Sequence, residues 1–153
     1  MPRNGIARDP KWPATVSAAL ADAFEKIKDR RQEEEYLGPI VTVNGQSVRF
    51  PAEVKDEARL NTLAGMFSAN PNMTVENWKV ADGVYVTMTA ELMQQVTNAG
   101  FQHISNCFNV EKAKREAVQS IADMAGDNDT DVNAIKAIQD WLENSLNTEW
   151  PVE

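Results

Sequence analysis

The apolar positions change period several times along the chain, and each change marks an element. Over residues 13–36, Val16, Leu20, Ala23, Phe24 and Ile27 recur at helical spacing. They predict a first helix opened by Pro13, a residue suited to a first turn. Beyond Ile27 the stripe fades into KDRRQEEEY, so that half either projects into solvent or runs along a partner. Leu37-Gly38-Pro39 closes the helix, the glycine fitting a left-handed cap and the proline a stop. The period then falls to two in IVTVNGQSVRF. Asn44-Gly45 is a strong hairpin signal, because both loop positions of such a turn need positive φ. A two-residue loop pairs Val43 with Gln46 and Val41 with Val48. Val41, Val43, Val48 and Phe50 then share one face, opposite Thr42, Ser47 and Arg49.

Residues 51–69 return to helical spacing, carrying Val54, Ala58, Leu60, Leu63, Ala64 and Phe67 inward until Asn70-Pro71 breaks the pattern. A second hairpin is expected over 78–80 and 84–87 around Asp82-Gly83. The two hairpins are expected to join into one small antiparallel sheet, since an isolated pair is marginal in water. Thr89 then reads as an N-cap, with Glu91 placed to suit the helix dipole. The helix after it has apolar or small residues at Leu92, Val96, Ala99, His103, Cys107, Val110, Ala113, Ala117, Ile121 and Met124, a seam close to coiled-coil period. Unbroken, it spans roughly 52 Å, whereas a compact chain of this size is only about 38 Å across. The far half is therefore expected to overhang and to need a partner. Gly100, and Asn106 with Asn109, are the places where it could break. Gly126 ends it, and the Asp127–Asp131 run caps a last helix carrying Val132, Ile135, Ile138, Trp141, Leu142 and Leu146.

The expected fold is α+β: two β-hairpins forming a small antiparallel sheet packed with helices, plus a long projecting helix and a final short one. The expected segments are an N-terminal arm over 1–13, an α+β domain with the long helix over 14–125, and a C-terminal helix and tail over 126–153. The arm is broken by Pro2, Pro10 and Pro13, and frays unless something pins it.

Composition narrows the function classes. A formal charge of −8 and a pI near 4.7 argue against nucleic acid as a partner, because phosphates repel such a surface. The one basic cluster, Lys112, Lys114 and Arg115, is interrupted by Glu111 and Glu116 and reads as a solvated helix face. A single cysteine, Cys107, excludes an internal disulfide and fits a chain made in a reducing cytoplasm. No apolar run approaches the ~20 residues of a membrane span, and no signal-peptide pattern follows Met1.

Candidate chemistry is sparse. The Asp127–Asp131 run resembles the start of a calcium loop, but the sixth and twelfth positions that need Gly and Glu hold Val132 and Ile138. Helix capping is the simpler account. His103 has no second histidine to share a metal. It stands one turn before Cys107, yet reactive cysteines sit in clefts with an activating environment, not on an apolar helix stripe. Glu33, Glu34 and Glu35 are neighbours in sequence and do not face one another on a helix. No cofactor, metal or catalytic residue is expected. Of the four tryptophans, which could suggest carbohydrate binding, Trp78 is assigned to the sheet core and Trp141 to the last helix. Trp12 and Trp150 are left free for a partner. With Val110, Ala117, Ile121 and Met124 on the helix seam, they form the candidate partner-binding set.

Ile27-Lys28-Asp29-Arg30-Arg31 followed by the Val43-Asn44-Gly45 hairpin resembles the opening of a family of small phage tail-fibre and tail-tip associated domains of unassigned function. The likeness continues through Arg59-Leu60, Trp78-Lys79-Val80-Ala81-Asp82-Gly83 and Val86-Thr87-Met88-Thr89, and Trp150-Pro151 also fits. It covers roughly residues 24–119. Phe50-Pro51-Ala52 stands where the family carries a polar, acidic cap, and the Pro-rich arm and the charged half-helix also depart from it. The resemblance implies a non-enzymatic structural component of a bacteriophage tail, in the fibre or baseplate, made in the host cytoplasm and located in the virion. Its partners would be other tail proteins, with several copies or a homo-oligomer in the assembly. The alternative is a tail-fibre assembly chaperone that leaves before the virion is complete. No catalytic residue is implied.

Overall fold

A computed structural model describes residues 6–151. Along the chain run α1 (Val16–Leu37), β1 (Ile40–Val43), β2 (Gln46–Arg49), α2 (Val54–Ala69), β3 (Thr74–Ala81), β4 (Val84–Thr89), α3 (Ala90–Asp123) and α4 (Val132–Ser145). This is the α+β fold expected, with its long helix and its final helix. Gly100 does not break α3; a cost of about 1 kcal/mol for one glycine is small against the packing on either side of it. Packing divides the chain into two compact units that are not consecutive segments. One holds residues up to Gln32 together with Phe108–Trp150; the other holds Glu33–Cys107 and Pro151. Helices α1 and α3 supply residues to both. No helix among the described residues is long and apolar enough to cross a membrane. The expected arm lies outside the described residues over positions 1–5. Its remainder forms a turn in which Trp12 N–H donates to Asp9 O at 2.9 Å.

In the unit of Glu33–Cys107, the first hairpin has the expected register, Val41 opposite Val48 and Val43 opposite Gln46. The second is longer than expected and bulged. Val75 pairs with Met88 and Trp78 with Val86, so Glu76 and Asn77 together face the single residue Thr87. Asn77 takes φ 56° there, a conformation asparagine tolerates better than most residues. The extra residue resets the alternation and brings Trp78 and Val80 onto the same side as Val75. Contrary to expectation, the hairpins do not merge: each strand pairs only within its own two-stranded sheet. Side chains join them instead. Val41, Phe50, Val80, Val86 and Met88 share a core with Leu63 and Phe67 of α2 and with Leu92, Met93 and Val96 of α3. A two-stranded pair becomes stable when it packs on a helix in this way. Val54 and Ala58, expected inside, are exposed. The helix enters without a side-chain cap at Glu53, and only its later turns reach the core. Thr89 caps α3 as expected, its Oγ1 accepting the Leu92 N–H at 3.1 Å.

In the unit of Phe108–Trp150, the first half of α1 buries Val16, Ala19, Ala23 and Ile27 against Val118 and Ala122 of α3 and Ala134, Ile135, Ile138 and Leu142 of α4. The second half of α3 is therefore covered by its own chain, which corrects the bare overhang expected from its length. The Asp127–Asp131 run caps two helices where one was expected. Asp131 accepts the Asn133 and Ala134 N–H groups of α4 at 2.9 and 3.3 Å. Asp129 caps the start of α1, its carbonyl accepting from Val16 N–H at 2.7 Å and its Oδ1 from Ser17 N–H at 2.9 Å and the Ser17 hydroxyl at 2.6 Å.

Gly38 carries φ +77°, and a Cβ built there would lie 1.8 Å from the Phe50 carbonyl oxygen. Gly38→Ala is expected to lower the thermal midpoint through about 1–3 kcal/mol of backbone strain, plus that overlap. Gly45→Ala, with φ +79° but open space around it, has only the strain and should fall less in the same melt. The Ser17 hydroxyl and N–H hold the Asp129 carboxyl below its ordinary 3.8. A depressed carboxylate stabilises the fold above its unfolded pKa and loses that contribution as pH falls through the folded one. The stability deficit of Asp129→Ala, measured by urea unfolding, should accordingly be full at pH 7 and shrink once the pH drops below 3.8.

Candidate functional site

The buried stripe of α3 in the Phe108–Trp150 unit is Lys114, Val118 and Ala122, at successive steps of four. The sequence pattern places it at Val110, Ala113, Ala117 and Ile121, one residue away and so about 100° around the helix. The reason is Lys114, which pattern reading assigns to a solvated face. Its side chain lies between two indoles, with Nζ 5.7 Å from the Trp141 centroid and 5.5 Å from the Trp150 centroid, and its ammonium donates to Ser145 O. The aliphatic stem supplies apolar contact while the charge finds aromatic faces and a carbonyl. Burial pushes the Lys114 amine below its ordinary 10.5; Glu149 opposes that shift and Arg30 adds to it. The remaining basic residues of the cluster are also used. The Arg115 guanidinium sits 4.0 Å over the Phe24 ring, and Lys112 pairs with Glu116 at 3.7 Å on the surface. Arg31 pairs with Glu111.

This one-residue rotation leaves part of the expected seam open. Val110, Ala113 and Ala117 line a groove of about 360 Å³ with Lys114, Trp141 and Ser145. Ala113 and Ala117 are exposed, and Val110 is half-buried. Two alanines one turn apart let an incoming backbone approach closely, Trp141 supplies an amphipathic wall, and Thr148 and Glu149 add a polar rim. Of this lining, Trp141 with its polar rim is the part that suits contact with another polypeptide, aromatic residues being enriched at such contacts. Ile121 lies partly inside, packed on the unit's own core. Met124, 73 % exposed, stands past the end of α3.

Trp150 and Trp12 depart from the free positions expected of them. Trp150 is not free: it is 3 % exposed, its Nε1–H donates to Leu146 O at 2.8 Å, and the Arg30 guanidinium lies 5.4 Å from its ring. Glu149, at φ 65°, turns the chain so that the next residue folds back. Trp12 is half-buried on the same core. Trp78 and Trp141 are packed, partly buried, against the two cores, as the sequence pattern assigns them, and each also lines a groove.

The remaining candidate chemistry resolves locally. His103 Nε2 lies 2.7 Å from Glu34 O, so that nitrogen carries a proton donated to a carbonyl. Cys107 Sγ, 3.8 Å from the same nitrogen, gains no base from it. Both side chains are buried. No group of three or more His, Cys, Asp or Glu that could hold a metal is found among the described residues.

Removing the Trp150 indole separates a lock from an idle terminus. Trp150→Ala should destabilise the chain by about 3–5 kcal/mol in urea unfolding, the range for a buried aromatic. A solvent-facing tryptophan would change stability by less than about 0.5 kcal/mol.

No curated protein and no solved structure matches the chain. A family model matches it over residues 18–138, and on that match the chain belongs to the family of domains of unknown function designated DUF4376.

Proposed function

We propose that this protein is a non-enzymatic structural component of a bacteriophage tail, joining or decorating the fibre or baseplate through protein–protein contacts. The observation that carries the contact reading is the open Val110–Ala113–Ala117 stripe beside Trp141. It is an apolar strip of α3, with Ala113 and Ala117 exposed and Val110 half-buried, beside the buried strip of Lys114, Val118 and Ala122. The assignment to a tail rests on the order and spacing of motifs from Ile27 to Thr89, which resemble tail-associated domains. The acidic balance of −8 suits a protein surface as partner better than a phosphate backbone. In this reading the protein resides in the virion in several copies, against other tail proteins.

Ala113→Glu with Ala117→Glu tests the reading. Glutamate is a good helix former and both positions are exposed, so circular dichroism and the melting temperature should hold. Incorporation into purified virions, quantified by mass spectrometry, should fall by about tenfold or more, the loss expected for ~1.4 kcal/mol at a contact. Absence of the wild-type protein from virions would support a departing assembly chaperone instead. Unchanged incorporation of the double variant would remove the groove from the assembly.

A further inference from the structure

The unit of Glu33–Cys107 carries a groove of a different character. It measures about 280 Å³ and is lined by β3 and helix α2, with Asp56, Arg59, Glu76, Asn77, Trp78 and Lys79 over Phe50 and Leu60. A second groove of about 310 Å³ adjoins it, lined by Arg59, Thr62, Leu63, Met66 and Trp78. Arg59 and Trp78 line both, so the guanidinium and the indole form a ridge that one extended ligand could straddle.

In the second groove the Thr62 hydroxyl is committed, donating to Ala58 O at 3.0 Å; the free polar groups belong to the first. Among the described residues, the side chains of Asp56, Arg59, Glu76 and Trp78 form no hydrogen bond or ion pair. Lys79 is taken by Asp82 at 2.9 Å. What remains is one cation, two carboxylates, an amide and an indole N–H around an aromatic face. The bulge at Glu76-Asn77 sets this arrangement, because without the extra residue Trp78 would turn to the other side of β3.

This chemistry selects a ligand class. The two carboxylates offset Arg59 and Lys79, so the lining offers no net positive charge to hold a phosphate or sulfate. Donors and acceptors spread along the rim disfavour a purely apolar ligand, which would leave them without partners. A peptide adding to β3 as a further strand needs a regular edge, and the bulge interrupts that edge. A neutral sugar satisfies all three constraints: its C–H face stacks on the indole while its hydroxyls both donate to carboxylates and accept from a guanidinium. We propose that the Arg59–Trp78 ridge is a binding site for a neutral oligosaccharide, with successive rings on either side of the indole.

The test uses the full chain and the indole N–H resonances, that of Trp78 being assigned with Trp78→Phe. Cellotetraose, maltotetraose and chitotetraose are titrated to about 10 mM, the range of weak single-site binding. At least one is expected to shift the Trp78 resonance saturably. Arg59→Ala and Glu76→Gln, both at exposed positions, should each weaken it about three- to tenfold, as for one lost hydrogen bond. The proposal is overturned if none of the three sugars moves the Trp78 resonance, if only Trp141 responds, or if both variants bind as the wild type does. A tetrapeptide of alternating lysine and glutamate that shifts Trp78 where the sugars do not would also overturn it. None of these outcomes bears on the Val110–Ala117 groove, which lies in the other unit.

Discussion

Everything in the Phe108–Trp150 unit depends on the burial of one apolar strip of α1. Val16, Ala19, Ala23 and Ile27 meet Val118 and Ala122 on one side and the inner face of α4 on the other. The alanines matter as much as the larger residues, because small side chains let helix axes approach and allow Ile27, Ile135 and Ile138 to be fully enclosed. Each large aliphatic side chain so buried contributes about 1.5–3 kcal/mol. Surface pairs such as Asp22 with Lys26 at 2.9 Å contribute less than about 1 kcal/mol. Apolar packing, not charge pairing, makes the second half of α3 part of a folded body.

Within that body the ionic groups act through aromatic rings. Arg30 and Lys114 both approach Trp150, Lys114 also approaches Trp141, and Arg31 stands 4.8 Å from the Phe108 ring. A buried ammonium is costly unless its donors and its field are answered. Ser145 O and two indole faces answer those of Lys114 here. The consequence is a C-terminal segment held down by contacts to α1 and α3, with Asp129 tying the start of α1 to the loop before α4. These ties leave Ala113 and Ala117 of the Val110–Ala117 stripe exposed beside Trp141. That localises the proposed protein contact to a rigid surface rather than to a loose end.

The second unit is built by another route. Its two hairpins stay separate and are unified by a shared side-chain core, so β3 keeps one side away from its partner β4. The bulge at Asn77 both spoils that side for strand addition and aims Trp78 toward the grooves. A device that discourages edge pairing is thus also the one that assembles the candidate sugar site. Protein contact and ligand contact are assigned to separate bodies of one chain.

The sequence by itself determined the elements and some of their ends, though not where α2 and β3 begin. Asn44-Gly45 set the register of the first hairpin, Thr89 and Asp131 started their helices, and Gly38 and Gly126 took the left-handed conformations that end theirs. These are local effects of backbone sterics and short-range hydrogen bonds, carried by the residues themselves. Only the tertiary structure decided which face of α3 is inside, whether the hairpins merge, and that Trp150 is enclosed. Those outcomes turn on groups distant in sequence: a lysine counts as core only when two indoles and a carbonyl close around it. In the same way, Asp129 becomes a cap for α1 only when a helix more than a hundred residues away in sequence docks beside it.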